Sequence, residues 1–223
     1  MVHAVGDEVA QPLELERLLG RGIGRELEWK TDDVALQNIQ ARVRSPGIWL
    51  VANRENKLLL TTSNLSEASV GYCTMDGDTS GVLAPIGGIS KSRVLQLLRY
   101  LHDQGLRLAS GELLRLPGLA AVIAQQPTAE LRSVEQTDEA DLMPFAVLDT
   151  IRALGQTQHL TPLALLKSLQ RTPFGAQYEL ATLGAWVGRY YRLYCRNQWK
   201  RERLATSFHI ETDSADPKTY RRF

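Results

Sequence analysis

A lysine beside two glycines is the stretch of this sequence that most directly suggests phosphate binding. In "GGISKSRVL", Gly87 and Gly88 precede Lys91, and an amphipathic run follows. A Walker-type loop places glycine directly before its lysine, whereas Ile89 and Ser90 intervene here, so the rule for that loop is not met. A lysine at a helix N-terminus still suits an anion. The alternative is an ordinary loop with a solvated lysine, and the residues alone leave both open.

A second polar group follows the short apolar run "KLLLTT". We predict a buried parallel strand there, with Thr62 at its carboxyl end, where ligands of open α/β sheets bind. Glu67 then lies in the first turn of a helix that Asn64 or Ser66 caps. Its carboxylate suits a magnesium ion held by a nucleotide's phosphates. It equally suits a plain interaction with the helix dipole.

A stripe of basic side chains marks the last predicted helix. Aromatic residues lie between its members, which recur every three or four positions: Arg189, Arg192, Arg196, Lys200 and Arg203. Such a stripe fits the phosphates of a nucleotide or of RNA, or an ordinary solvated face. The formal net charge of only +1 argues against RNA.

Helices are the elements that must position these side chains. "TDDVALQNIQARVR" has acids at its start and apolar residues at helical spacing, and Pro46 is expected to end or kink that helix near Ser45, before "GIWLVAN" resumes it. Ser90 begins a helix that Gly105 ends. Four more helices are predicted, in "LPGLAAVIAQ", "DLMPFAVLDTIRAL", "TPLALLKSL" and a long "QYELATLGAWVGRYYRLYCRNQWKRER", before an extended tail, "ETDSADPKTYRRF". The order helix, strand, helix predicts an α/β fold with few strands and a helix-rich C-terminal part.

Composition limits the class of protein. The 223 residues are 43% hydrophobic and 23% charged, as in one compact globular unit. No apolar run reaches the roughly 18 residues of a membrane span, and the acidic N-terminus is not a signal peptide. Cys73 and Cys195 have neither metal-site nor disulfide-framework spacing. We expect a cytoplasmic protein with no membrane and no nucleic-acid partner.

Several longer motifs, taken in order, resemble the synthetase domain of glutamine-dependent NAD synthetases. The resemblance covers about residues 26–223, and Met75, Val82 and Trp199 follow the glutamine-dependent branch rather than the ammonia-dependent one. The motifs are "TDDVALQNIQARVRSPGIWLVAN", "LLLTTSNLSEASVGYCTMDGDTSGVLAPIGGISK", "QQPTAELRSVEQTDEADLMPFAVLD" and "YCRNQWKRERLATSFHIETDSADPKTYRRF".

The resemblance implies a fold, a reaction and partners. The fold would be a partial adenine-nucleotide α-hydrolase-like (Rossmann-like) parallel sheet. ATP, with Mg²⁺, would adenylate the nicotinate carboxylate of nicotinic acid adenine dinucleotide. Ammonia from a glutaminase domain would then displace AMP and leave NAD. The family also implies a homodimer, formed through the region around residues 32–53, which is apolar on more than one face.

The resemblance also assigns roles to individual residues. ATP would contact Thr62, Lys91 and Thr128, and Glu67 would bind the magnesium ion. The dinucleotide would contact Asn38, Arg44, Tyr72 and Lys200, with the basic stripe facing its phosphates. We therefore expect Thr62, Glu67, Lys91 and Thr128 in one cluster, and Asn38, Arg44 and Lys200 in a separate one.

Two departures from the family shape the functional expectation. The family's Ser-Gly-Gly-x-Asp-Ser phosphate loop is absent from this sequence, and no amidase set can be placed. We expect the C-terminal portion of a synthetase domain: a lead-in over 1–25, an α/β part over 26–110, and a mainly helical part with a tail over 111–223. Alone, it is expected to be inactive. The alternative is a non-catalytic dinucleotide-binding or dimerisation module.

Overall fold

Helices dominate the computed structural model, which describes residues 10–128, 131 and 137–210. Before residue 130 they are α1 (Ala10–Ile23), α2 (Trp29–Arg54), α3 (Leu65–Val70), α4 (Lys91–Gln104) and α5 (Leu119–Ala124). After it they are α6 (Asp138–Asp141), α7 (Phe145–Thr157), α8 (Pro162–Leu169), α9 (Pro173–Gln177), α10 (Leu180–Arg196) and α11 (Gln198–Arg201). The predicted excess of helix over strand is confirmed, and the tail from residue 211 lies outside the described residues.

Two small sheets complete the described fold. β1 (Leu83–Ala84) pairs in parallel with β4 (Thr206–Ser207), and β2 (Leu106–Arg107) pairs antiparallel with β3 (Leu113–Leu114). The parallel pair joins residues that are far apart in the sequence. A strand from the part predicted to be mainly helical thus completes the sheet that begins at β1.

The apolar core lies among α3, α7, α8 and α10. Apolar side chains at helical spacing, including Leu148 and Ile151 of α7, are fully buried there. Leu165 and Leu169 of α8 and Val187 of α10 pack against them. We call α7, α8 and α10 the helical base. The end of α3 and the residues that follow it are anchored to this base through Val70 and Tyr72.

The predicted strand "KLLLTT" is wrong in extent and burial. Only Leu60 forms a bridge, in parallel with Leu83 of β1, and the side chains of Leu58 and Leu60 are 63% and 51% exposed. A parallel strand is buried on both faces only where elements cover both sides of its sheet.

The expectation that Pro46 ends or kinks α2 near Ser45 is wrong, while the helix does include "GIWLVAN". The helix continues through Pro46 to Arg54, and its non-helical backbone angles occur at Asp32 instead. Proline costs one hydrogen bond in a helix interior, and here that cost is tolerated. Val34, Leu50 and neighbouring apolar residues of α2 remain exposed in the single chain, although a helix that is apolar on more than one face is expected to be buried.

The long C-terminal helix is interrupted at Asn197. The Asn197 side chain donates a hydrogen bond to the carbonyl of Val70, at 2.7 Å, and α11 begins on the other side of it. Arg201 of α11 is 1% exposed, and its guanidinium donates to the carbonyls of Ser69 and Tyr194. These contacts fasten the C-terminal helices to α3. Within the described ranges, no helix combines the length and apolar character needed to cross a bilayer.

Candidate functional site

A cleft of about 780 Å³ opens between α2, the chain around residues 60–62, α3, α4 and the segment before α6. One wall is apolar, built from α4 side chains such as Val94 and Leu98. Other lining residues are polar or charged. The four residues predicted to form the first cluster all line this cleft: Thr62, Glu67, Lys91 and Thr128.

An ion pair joins the two charged members of that set. The ammonium of Lys91 lies 3.1 Å from Oε1 of Glu67, and each side chain is about one-fifth exposed. The Lys91 ammonium also lies 5.5 Å from the centre of the Phe145 ring. Asn64 caps α3 as predicted, because its side chain accepts the N–H of Glu67. The cap fixes the backbone from which the carboxylate projects into the cleft.

The N-terminus of α4 differs from the sequence expectation. Its boundaries, after Ser90 and before Gly105, are as predicted, but the Ser90 side chain makes no capping bond. Instead the N–H of Lys91 donates to Oγ of Ser66, at 2.7 Å, and the N–H of Ser92 donates to the Asp149 carboxylate, at 3.0 Å. Side chains of the protein therefore already satisfy these two N–H groups.

Gly87 and Gly88 serve the packing of β4. A methyl group built at Gly88 would lie 1.8 Å from the carbonyl oxygen of Phe208, and one at Gly87 would lie 2.8 Å from Cβ of Ser207. The two glycines therefore admit the C-terminal strand next to β1. Lys91 itself lines the cleft. The two glycines act on Lys91 only indirectly, because they allow the loop before it to pack against β4.

The second predicted cluster is divided in the structure. Arg44 and Tyr72 line the same cleft as Lys91. Asn38 and Lys200 instead hold the chain that follows α3. Oδ1 of Asn38 accepts the hydroxyl of Thr74, at 2.9 Å, and the ammonium of Lys200 donates to the carbonyls of Gly71 and Cys73. The expected separation of Arg44 from the Lys91 cluster is therefore wrong.

The basic stripe does not form one continuous face. It crosses the interruption at Asn197, and its members have separate partners. Arg189 donates to the carbonyls of Asp141 and Leu142, while Arg203 pairs with Asp76 at 3.2 Å. None of the five stripe residues is among the described residues that line the cleft.

Asp138 is a cleft residue that the sequence analysis did not single out. It is 5% exposed, and its Oδ1 accepts no hydrogen bond from the described residues. Burial, reinforced by the nearby Glu67 carboxylate, raises the pKa of Asp138 to about 6. Asp78 also lines the cleft, and its carboxylate accepts the N–H of Thr74 at 2.6 Å. An Asp-Gly pair by itself is typical of a turn, so the sequence does not mark Asp78 as a cleft residue.

The acidic side chains do not form a self-contained metal site. Among the described residues, no three histidine, cysteine or acidic side chains gather closely enough to hold a metal ion by themselves. Magnesium commonly uses one or two protein carboxylates and completes its shell with phosphate oxygens and water. Glu67, which faces the cleft, matches that more limited requirement.

Comparison with known proteins gives consistent relatives. The family model described as NAD synthase matches residues 15–173. The chain is 38% identical over 122 residues to a glutamine-dependent NAD(+) synthetase of Rhodobacter capsulatus, covering 53% of this chain and 21% of that protein. It is 34% identical over 175 residues to one of Xanthomonas campestris pv. campestris, covering 78% of this chain and 28% of that protein.

A solved structure extends the similarity to the fold. The glutamine-dependent NAD(+) synthetase of Cytophaga hutchinsonii superposes with a TM-score of 0.77 at 35% identity, over 96% of this chain and 32% of that one. The sequence therefore spans about a quarter of the length of the curated relatives it matches.

Proposed function

The chain belongs to the NAD synthase family, and from that premise we propose that its cleft forms part of the site at which a glutamine-dependent NAD synthetase amidates nicotinic acid adenine dinucleotide. ATP would first adenylate the nicotinate carboxylate, which makes AMP the leaving group. Ammonia released by a glutaminase domain would then attack the acyl-adenylate. Such a site works mainly by holding its reactants together and by offsetting phosphate charge.

The observation that carries this proposal is the meeting of Thr62, Glu67, Lys91 and Thr128 in one cleft. These four come from separate stretches of sequence, and each had been assigned to ATP or its metal. We assign the Lys91 ammonium to a phosphate group and the hydroxyls of Thr62 and Thr128 to the nucleotide. Arg44 and Tyr72, on the same cleft, would contact the dinucleotide.

Asn38 and Lys200 would act on the dinucleotide through the chain they support. The Lys200 ammonium donates hydrogen bonds to the carbonyls of Gly71 and Cys73, the residues on either side of Tyr72. The backbone thus engages two of the three ammonium N–H groups of Lys200, so a direct contact with substrate would fall to the third. The finer role proposed for these two residues is to hold Tyr72 and its neighbours against the cleft.

Magnesium is proposed to bind between Glu67 and the ATP phosphates. When bound, the ion would neutralise phosphate charge. Glu67 would have to divide its carboxylate between the ion and Lys91, which approaches Oε1. Lys91 and the ion would then both offset the negative charge of the phosphates.

A titration of the purified chain with ATP and Mg²⁺ tests the nucleotide site. We expect binding that Lys91→Ala weakens about tenfold or more, because a charge-assisted contact to phosphate is lost. Lys167→Ala is the matched control, since Lys167 is an exposed lysine on α8, outside the cleft. Equal affinity of the Lys91 and Lys167 variants would contradict the assignment.

A turnover assay separates the synthetase reading from the alternative, a non-catalytic dinucleotide-binding or dimerisation module. The chain has no Ser-Gly-Gly-x-Asp-Ser loop, so we expect no NAD formation above the no-enzyme control from ATP, Mg²⁺, ammonia and the deamido substrate. Adding a second chain that carries the loop should restore NAD formation if this chain is part of a synthetase. NAD formation should stay absent if this chain is a non-catalytic module. Turnover by the chain alone, abolished by Lys91→Ala, would overturn the expectation.

A further inference from the structure

Asp149 of α7 contacts both elements that carry the charged cleft residues. One of its carboxylate oxygens accepts the N–H of Ser92 at the start of α4, at 3.0 Å. The other accepts the hydroxyl of Ser66 in the first turn of α3. Ser66 in turn accepts the N–H of Lys91, at 2.7 Å. One carboxylate therefore connects α3, α4 and α7.

The connection lies directly behind the ion pair of the cleft. Glu67 follows Ser66 in the chain, and the N–H of Lys91 is itself a member of the network. The two helix starts must keep their relative position for the Lys91 ammonium to stay 3.1 Å from the Glu67 carboxylate. Asp149 is held in turn by the helix that carries it, where the buried Arg152 lies 4.0 Å from its Oδ1.

We propose that Asp149 is a positioning residue for the cleft: it locks the α3–α4 junction so that Lys91 and Glu67 present one fixed pair of charges. Asp149 is not among the described residues that line the cleft, so it would act through α3 and α4. It occupies the helix terminus that would otherwise attract an anion. On the proposed function, this leaves the Lys91 side chain as the group through which α4 contacts phosphate.

The test measures how fast the Lys91 amine reacts with acetic anhydride, by site-resolved mass spectrometry of the full chain, with Lys167 as internal standard. The ion pair with Glu67 competes with acylation. Asp149→Ala should release the junction and raise the relative rate of Lys91 about fivefold or more, the factor that a loss of about 1 kcal/mol produces. Asp149→Asn should raise the rate by more than about twofold but less than Ala does, because its amide oxygen can still accept the N–H of Ser92 although the charge is lost.

Two further variants keep the inference falsifiable. Ser66→Ala removes only the hydroxyl that links Asp149 to Lys91, and it should also speed acylation if the alanine variant of Asp149 does not fold. Thr161→Ala removes a helix cap on α8, so it lowers stability without touching the network, and Lys91 should react as in wild type. The inference is wrong if Ser66→Ala and Asp149→Asn both leave the Lys91 rate within about twofold of wild type, or if Thr161→Ala raises it equally.

This readout does not depend on nucleotide binding. If wild type fails to bind ATP while the Asp149 series behaves as expected, the proposed function fails and the positioning role stands. If ATP binds and Lys91→Ala weakens it, but the Asp149 series leaves Lys91 reactivity unchanged, the positioning role alone is wrong.

Discussion

Asp138 brings a carboxyl group into the cleft whose charge changes near neutral pH. Burial and the Glu67 carboxylate raise its pKa from the ordinary value of 3.8 to about 6. The folded chain then holds this proton more tightly than the unfolded chain does. The contribution to stability is complete below the ordinary pKa and is lost as the pH rises through about 6.

Asp138→Asn tests that dependence, because an amide cannot ionise. We expect the variant to gain stability relative to wild type between about pH 4.5 and about pH 7.5, with the gain levelling off at the upper end. Urea unfolding at both pH values measures the difference. Glu112→Gln, at an exposed carboxylate between β2 and β3, is the control and should show no such gain. A difference between Asp138→Asn and wild type that is the same at both pH values would refute the raised pKa.

The residue types of the site could be predicted better than their contacts. Family motifs brought Thr62, Glu67, Lys91 and Thr128 to attention, and the chain folds them around one cleft. Asp149 and Ser66 could not be identified in this way. Their role depends on α7 packing behind α3 and α4, which is a long-range contact that local spacing does not encode.

At the scale of the elements, local signals held where local chemistry decides the outcome. Asn64 caps α3 with its own side chain, as predicted, whereas α4 has the predicted bounds without a capping bond from Ser90. Tertiary contacts decided the other cases. The sequence pattern predicts one long helix at the C-terminal end. The helix is interrupted at Asn197, because the side chain of Asn197 donates a hydrogen bond to the carbonyl of Val70. Leu60 forms only an isolated bridge, and its partner there is Leu83 of β1.

Gly88 is the residue on which the pairing of β1 with β4 most visibly depends. A Cβ there would meet the carbonyl oxygen of Phe208 at 1.8 Å, so the strand must move away. We expect Gly88→Ala to lower the free energy of unfolding by about 2 kcal/mol or more, as overpacking against backbone does. Urea denaturation measures the loss.

A second glycine supplies the control for that experiment. Gly188 lies inside α10. Apart from the backbone of that helix, no atom of the described residues would lie within 4 Å of a Cβ added there. Gly188→Ala should be neutral or stabilising, because alanine is the better helix former. If Gly88→Ala is equally harmless, β4 does not rely on the missing side chain.

For the whole molecule, the helical base and the cleft form one connected unit. Asp149 connects the buried core of α7, α8 and α10 to α3 and α4, and the C-terminal segment contacts α3 through Arg201 and β1 through β4. The sequence order of the elements indicated an α/β protein with many helices. It could not show that residues 206–207 complete the sheet that begins at residue 83, because parallel partners so far apart leave no local signal.

Self-association is the property of the whole molecule that the exposed apolar residues of α2 predict. Val34, Leu50 and Val51 are 69%, 67% and 59% exposed, although a helix of this composition is expected to bury such residues. A second copy of the chain related by a two-fold axis would cover the same face on both partners. We expect a dimer at micromolar concentration by sedimentation velocity, which Leu50→Glu shifts to monomer. Leu163→Glu places the same charge at an exposed leucine of α8 and should leave the dimer intact. A wild-type chain that sediments as a clean monomer, or equal dissociation by both variants, would show that α2 is not the dimer interface.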